Sequence, residues 1–277
     1  MTYDLAAETA VGSGEYTAYQ LVTNRHHVLA TRPNTAYVRG AVNVSHRLSD
    51  CLTLTGCVDA IASVHADHSI FLQQCYARLS GWQFYLEAGV REHGQMVRDD
   101  SLSVGSFVKG TNAKPVPQVR LGTDGFWNVP FTKQWVQVNL EAGYGKFLDS
   151  GHRKEVMLRS GGSAYTGGVL YHQAHLYIRS NPDKRVFGMI GIEHAVQFGG
   201  TRYTYVGDGV TENVKPANLR AFLDVVLPLG DNSYFEHNAY EDWVFGNHIG
   251  VMTYQVGVNI TPHHRLQAYL DNPFEDS

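Results

Sequence analysis

The sequence predicts an all-β fold: an antiparallel up-and-down transmembrane β-barrel with about ten strand candidates. Three observations predict it. Apolar and polar residues alternate one by one for longer than the roughly 5–6 residues of most soluble strands. The apolar faces so defined carry almost no charge. No apolar run reaches the roughly 18 residues of a membrane-spanning helix, so any crossing falls to strands.

The clearest element is Ala36 to Leu48. Ala36, Val38, Gly40, Val42, Val44 and Leu48 share one face, and Tyr37, Arg39, Asn43, Ser45 and Arg47 the other, with only His46 out of step. A strand points successive side chains to opposite sides, so this period means one dry face and one wet one. Outer-membrane strands need about 9–11 residues, tilted across the hydrocarbon. Leu52 to Val64 repeats the pattern, with Leu52, Leu54, Val58, Ala60, Ala62 and Val64 against Thr53, Thr55, Asp59 and Ser63. Trp82 to Arg91 sets Trp82, Phe84, Leu86 and Val90 against Glu87 and Arg91. Val136 to Tyr144 sets Val136, Val138 and Leu140 against Gln137, Asn139 and Glu141. Tyr3 to Val11, Ile70 to Leu79, Tyr171 to Arg179, Val186 to Gln197, Ile249 to Ile260 and Arg265 to Asp271 complete the series.

Charge in lipid costs roughly 2–4 kcal/mol near the midplane, which suits charge-free faces turned to a bilayer and polar faces to a wet interior. A soluble β-sandwich also has a charge-free core face, and periodicity alone leaves that alternative open. Strand length tilts the choice to the membrane. So do the 16 Tyr and 4 Trp, residues that suit the two membrane interfaces.

The 277 residues show no composition shift or low-complexity linker, so a single domain over 1–277 is expected. Mean hydropathy is −0.24, as a barrel allows when only alternate residues meet lipid. A net charge of −4 gives no case for nucleic acid. Met1-Thr2-Tyr3-Asp4 enters a strand pattern directly, so a mature or trimmed form is expected rather than one with a signal peptide. Cys51 and Cys57 are too far apart along one strand to bridge, while Cys75 lies on a strand that could bring it to either. Pro216 to Leu227 predicts a short helix stopped by Pro228, serving as a lid, a plug or a loop ornament.

The segment from Ser101 to Phe131 contains Asn112-Ala113-Lys114-Pro115-Val116-Pro117-Gln118-Val119-Arg120, then Val129-Pro130-Phe131-Thr132. Gln73-Gln74-x-Tyr76 and Gly89-x-x-Glu92 precede it. Gly191-Ile192-Glu193-His194, Gln197-Phe198-Gly199-Gly200, Gly246-Asn247-His248 and Asn272-Pro273-Phe274-Glu275-Asp276 follow. In this order the fragments resemble the Wzi capsule assembly family. Lys114 stands where Arg is commoner, and Phe198 where Trp is usual. The resemblance implies an outer-membrane β-barrel lectin of Gram-negative bacteria that holds capsular polysaccharide at the cell surface. It implies more strands than are seen here, so the chain is expected to be the N-terminal portion of a longer barrel. A helical bundle carried by the characterised branch has no counterpart in this sequence.

Candidate binding residues are Asn112, Gln118, Arg120, Glu193 and Gln197. Their amide, guanidinium and carboxylate groups can pair sugar hydroxyls. Phe126, Trp127 and Phe198 are nearby aromatics for stacking. The competing role is structural: two prolines in Asn112 to Arg120 resist regular pairing, and Glu87 with Arg91 reads as a bracing ion pair. His172 and His175 face opposite ways on one strand and cannot chelate together. His65 and His68 flank a turn with Asp67, too few ligands for a structural zinc site. His194 sits awkwardly beside Ile192 on a lipid face. No catalytic motif appears in its required context. The expectation is a non-enzymatic monomer, without cofactor or metal, whose partners are an extracellular or capsular polysaccharide and the outer-membrane bilayer. A polysaccharide-active enzyme on a β-sandwich and a diffusion porin are the alternatives.

Overall fold

A computed structural model describes residues 1–29, 33–65, 69–93, 106–207, 209–226 and 247–275. Asp67 and His68 of the candidate turn lie outside the described residues, as do Gly246 and Asp276 of the matched fragments. The chain is all-β and antiparallel, as expected, and divides into two compact units, Met1–Trp127 and Asn128–Ser277.

The first unit holds β1 (Thr2–Ala10), α1 (Tyr19–Val22), β2 (Thr35–Ser49), β3 (Leu52–Val64), β4 (Ile70–Gly81), β5 (Phe84–Val90) and β6 (Gln118–Thr123). Their order in the sheet is their order in the chain, the up-and-down arrangement. Two tight turns close one end, at Asp50–Cys51 and at Trp82–Gln83. Trp82 and Gln83 both have positive φ (50° and 72°), the pairing that lets a two-residue loop follow the strand twist.

In the second unit, after β7 (Trp127–Asn128) at the junction, come β8 (Val136–Lys146), α2 (Ser150–Arg159), β9 (Ala164–Gly167), β10 (Leu170–Ser180), β11 (Val186–Phe198), β12 (Thr201–Val206), β13 (Gly209–Val214), α3 (Leu219–Val226), β14 (Asn247–Thr261) and β15 (His264–Glu275). The main sheet runs β8-β10-β11-β14-β15, all antiparallel. The connections carry a separate small sheet, β13-β12-β9.

The predicted faces hold and are inverted relative to a soluble protein. Val58 is 51 % exposed, while its neighbour Asp59 is fully covered. Leu86 is 49 % exposed and Glu87 is 1 % exposed. In the second unit Leu140, Leu176, Ile178, Ile190 and Ile192 are exposed, while Asn139, Glu141 and Glu193 are buried. Charge and amide groups are sheltered, and branched aliphatics stand open.

Each unit has one small apolar cluster. In the first, Val22, Val28 and Leu29 from α1 and the chain after it pack on Ala10, Tyr37 and Ile61, with Phe71 against them. Tyr37 and Ile61 belong to the polar face, so this segment caps that face. In the second, Ala221 and Val225 of α3 pack on Val196 and Phe198, with Leu170 and Phe222 alongside. The helix forms where Pro216 predicted it, and Asn218 Oδ1 accepts the Ala221 N–H at 2.9 Å to cap it. It lies against the apolar wall, as neither a lid nor a plug over the polar face. All three thiols are free, and strand register sets Cys57 opposite Tyr76 and Cys75 opposite Val58, so Cys57 is buried while Cys75 is exposed.

Candidate polar binding wall

The polar face of the first unit carries two neighbouring clusters of hydrogen bonds and ion pairs. The first begins at an irregularity: register shifts between Asp59 and Ala60, so that Gln74 pairs with Asp59 and Leu72 with Ala60, leaving Gln73 as the extra residue. Such a bulge re-aims side chains. Here two consecutive glutamines reach the same carboxylate region. Gln73 Nε2 donates to Glu92 Oε1 at 2.8 Å and to the His26 carbonyl at 3.0 Å. Gln74 Nε2 donates to Asp59 Oδ2 at 3.0 Å, and its Oε1 accepts the Glu92 N–H at 3.1 Å. Arg39 joins the two acids, bonding Asp59 through Nε and Nη2 and Glu92 at 2.9 Å.

Gly89 makes this approach feasible. Its φ is +128°, and a Cβ there would lie 2.1 Å from the Cys75 carbonyl oxygen. Only glycine fits, and the chain then turns Glu92 back onto the glutamines.

One step along the wall, Glu87 is ringed by cations. Arg120 Nη2 and Arg91 Nη1 each lie 2.6 Å from its carboxylate, and Arg78 Nη1 3.5 Å away. Register places Glu87 directly opposite both Arg78 and Arg120. Arg78 also reaches Asp124 at 2.9 Å. The guanidinium of Arg78 covers the Tyr85 ring at 3.7 Å and that of Arg91 the Tyr76 ring at 4.7 Å.

Of the five candidate residues, Asn112, Gln118 and Arg120 lie in this unit. Gln118 and Arg120 are not in a loop: they open β6, with Val119 and Leu121 exposed between and beyond them. Gln118 is buried, and among the described residues its Oε1 has no hydrogen-bond partner, nor has that of Gln73. A buried unmet acceptor costs about 1–3 kcal/mol, so each is a ready site for a hydroxyl donor. Asn112 Oδ1 accepts the His27 N–H at 3.1 Å, tying the proline-rich segment to the chain after α1. Lys114 Nζ sits 5.1 Å from the Phe71 ring.

Glu193 and Gln197 lie in the second unit. Glu193 is buried and accepts a short hydrogen bond from the Tyr177 hydroxyl. Gln197 is exposed at the end of β11, opposite Asn247. Nearby, Gln173 Nε2 donates to Glu141 Oε1 at 2.9 Å, and His175 Nε2 meets Asn139 Oδ1 at 2.7 Å.

The stacking aromatics differ from those expected. Trp127 packs on Phe84, 5.6 Å between centroids, and Phe198 packs under α3. Both serve the apolar side. Tyr76 and Tyr85 join Tyr37 on the polar face, legible in sequence only as alternating partners of Arg78 and Glu87. The awkward His194 is also explained. Its Nε2 lies 2.8 Å from His248 Nδ1, and His172 on the same face meets the Phe222 edge. Among the described residues no group of three His, Cys, Asp or Glu is placed to hold a metal ion.

No family model matches this chain, and no curated protein matches it. The Wzi resemblance therefore rests on its motifs alone. Two solved structures are similar. One is a loop L8 deletion mutant of OmpT, an outer membrane protein of Vibrio cholerae: 10% identity, 98% of this chain, 93% of that chain, TM-score 0.27. The other is OmpT folded in vitro, also from Vibrio cholerae: 10% identity, 99% of this chain, 85% of that chain, TM-score 0.24. The likeness assigns no activity to this chain. The expectation of a non-enzymatic chain is withdrawn, since a likeness of this kind leaves the activity open.

Proposed function

We propose that this chain is an outer-membrane β-barrel protein of the Wzi capsule assembly type, binding capsular polysaccharide through the polar wall. One observation carries the reading. The residues behind the resemblance, Gln73, Gln74, Glu92, Gln118 and Arg120, are scattered in sequence yet meet in one unit on one face. The wall offers what a polysaccharide needs: planar amide and guanidinium groups, buried acceptors at Gln73 and Gln118, and tyrosine rings beneath the arginines. The membrane setting is supported by the inverted faces. An open row of Val58, Leu86, Leu121 and their neighbours would be an aggregation liability in water and is at rest in lipid.

The test is a glycan array on the full chain folded in detergent. The proposal predicts selective retention of acidic or neutral capsular polysaccharides, weakened by Gln118→Ala. Equal signal from every glycan, or binding indifferent to Gln118→Ala and Arg91→Ala together, would overturn it.

A further inference from the structure

The connections of both units are uneven. In the second unit, one sheet end has only the short links 181–185 and 262–263, while the other carries the long links 147–169 and 199–246. The first unit is uneven in the same way, with only the two-residue links 50–51 and 82–83 at one end and, beside the five-residue 65–69, the long links 11–34 and 91–117 at the other. Outer-membrane barrels keep short turns at the periplasm and long loops outside. The long-link end is then the outer surface, and α3 sits there.

The helix lies on the wall that faces lipid. Phe222 meets Tyr144 edge-on at 5.4 Å and His172 at 5.9 Å. Tyr144, His172, Val196 and Phe198 alternate in step with Leu140, Leu176, Ile190 and Ile192, which are exposed on the same face. Thus α3 extends the apolar band at its outer rim. Ala221 and Val225 face the wall, yet Leu219 is 73 % and Leu223 49 % exposed on the helix's far side. A helix apolar toward both its support and its surroundings fits neither water nor the bilayer centre. It fits the boundary, where an amphipathic helix lies flat about 5–10 Å into the headgroup and acyl region. Arg220, which is exposed, supplies its polar edge, while Asp224 is half-buried with one carboxylate oxygen covered. Phe222 of the helix also covers His172, which neighbours His194 and, through it, His248.

We infer that α3 is a membrane-interface foot, its Leu219–Leu223 stripe seated among the lipids of the outer leaflet. This rests on the membrane reading of the sheet, and the test separates the two. The full chain, with its three cysteines changed to serine, carries a bimane label at Leu223→Cys, at Leu219→Cys or at Ile192→Cys. Each protein is folded into phosphatidylcholine vesicles brominated either near the headgroup or near the chain ends. Folding is checked by heat-modifiable gel mobility, and two helix positions guard against a single failed variant. The label at 192, midway along β11, is expected to be quenched by deep bromines. The labels at 219 and 223 are expected to lose roughly half their fluorescence to shallow bromines and little to deep ones. Quenching at 192 with none at 219 or 223 overturns the inference about α3 and leaves the membrane reading standing. Absence of quenching at all three positions overturns both.

Discussion

Arg120 donates from Nη2 to Glu87 at 2.6 Å, and each residue is 1 % exposed. The pair is buried although both are charged, while their strand neighbours Val119 and Leu86 stand open. Burying two charges is tolerable only when their bonds are met, and Glu87 has Arg91 and Arg78 as well. Arg120→Ala should destabilise the folded chain by roughly 3 kcal/mol, since it strips a direct partner from a buried carboxylate. Denaturant unfolding in detergent reads this directly, and a loss below half that figure would mean that Arg91 and Arg78 hold Glu87 without Arg120.

Gln118 behaves differently. Its Oε1 has no partner among the described residues, so Gln118→Ala removes a cost along with the amide. Stability should stay within about 0.5 kcal/mol of the parent. Capsule retention on cells and polysaccharide affinity in vitro should fall. Intact stability with intact retention would remove Gln118 from the binding wall.

Gly89→Ala tests the chain path that presents Glu92. A Cβ would strike the Cys75 carbonyl, and φ is +128°. The expected cost is roughly 2–3 kcal/mol, together with loss of the Gln73–Glu92 contact. A structure of the variant with that contact kept would contradict the role given to Gly89.

Gly191 and Tyr177 are cross-strand partners, and a Cβ at Gly191 would lie 1.9 Å from the Tyr177 ring. The ring rests over the glycine and from there reaches Glu193. Gly191→Ala should cost about 1–3 kcal/mol through overpacking. Combined with Tyr177→Ser the added cost should vanish, which a double-mutant cycle measures.

The long strands were legible because one rule, lipid on one side and water on the other, acts on every second residue for their whole length. Ala36 to Leu48 and Leu52 to Val64 became β2 and β3 nearly unchanged. β6 escaped although Gln118-Val119-Arg120-Leu121 alternates, because Pro115 and Pro117 just before it argued for a loop. β9, β12 and β13 escaped because a small sheet outside the main one carries no such two-sided rule. Arg120 was singled out in sequence, but its partner Glu87 was paired with Arg91 only, since cross-strand register is invisible along the chain. The bulge at Gln73 was hidden for the same reason.

The central claim is that the exposed aliphatic face meets lipid, and Val58 tests it most directly. It lies midway along β3, 51 % exposed, beside the covered Asp59. The measurement is the folding free energy of Val58→Arg in phospholipid vesicles. Lipid at that position predicts a loss of roughly 2–4 kcal/mol. A change within about 0.5 kcal/mol, as for an ordinary surface position in water, would contradict the account.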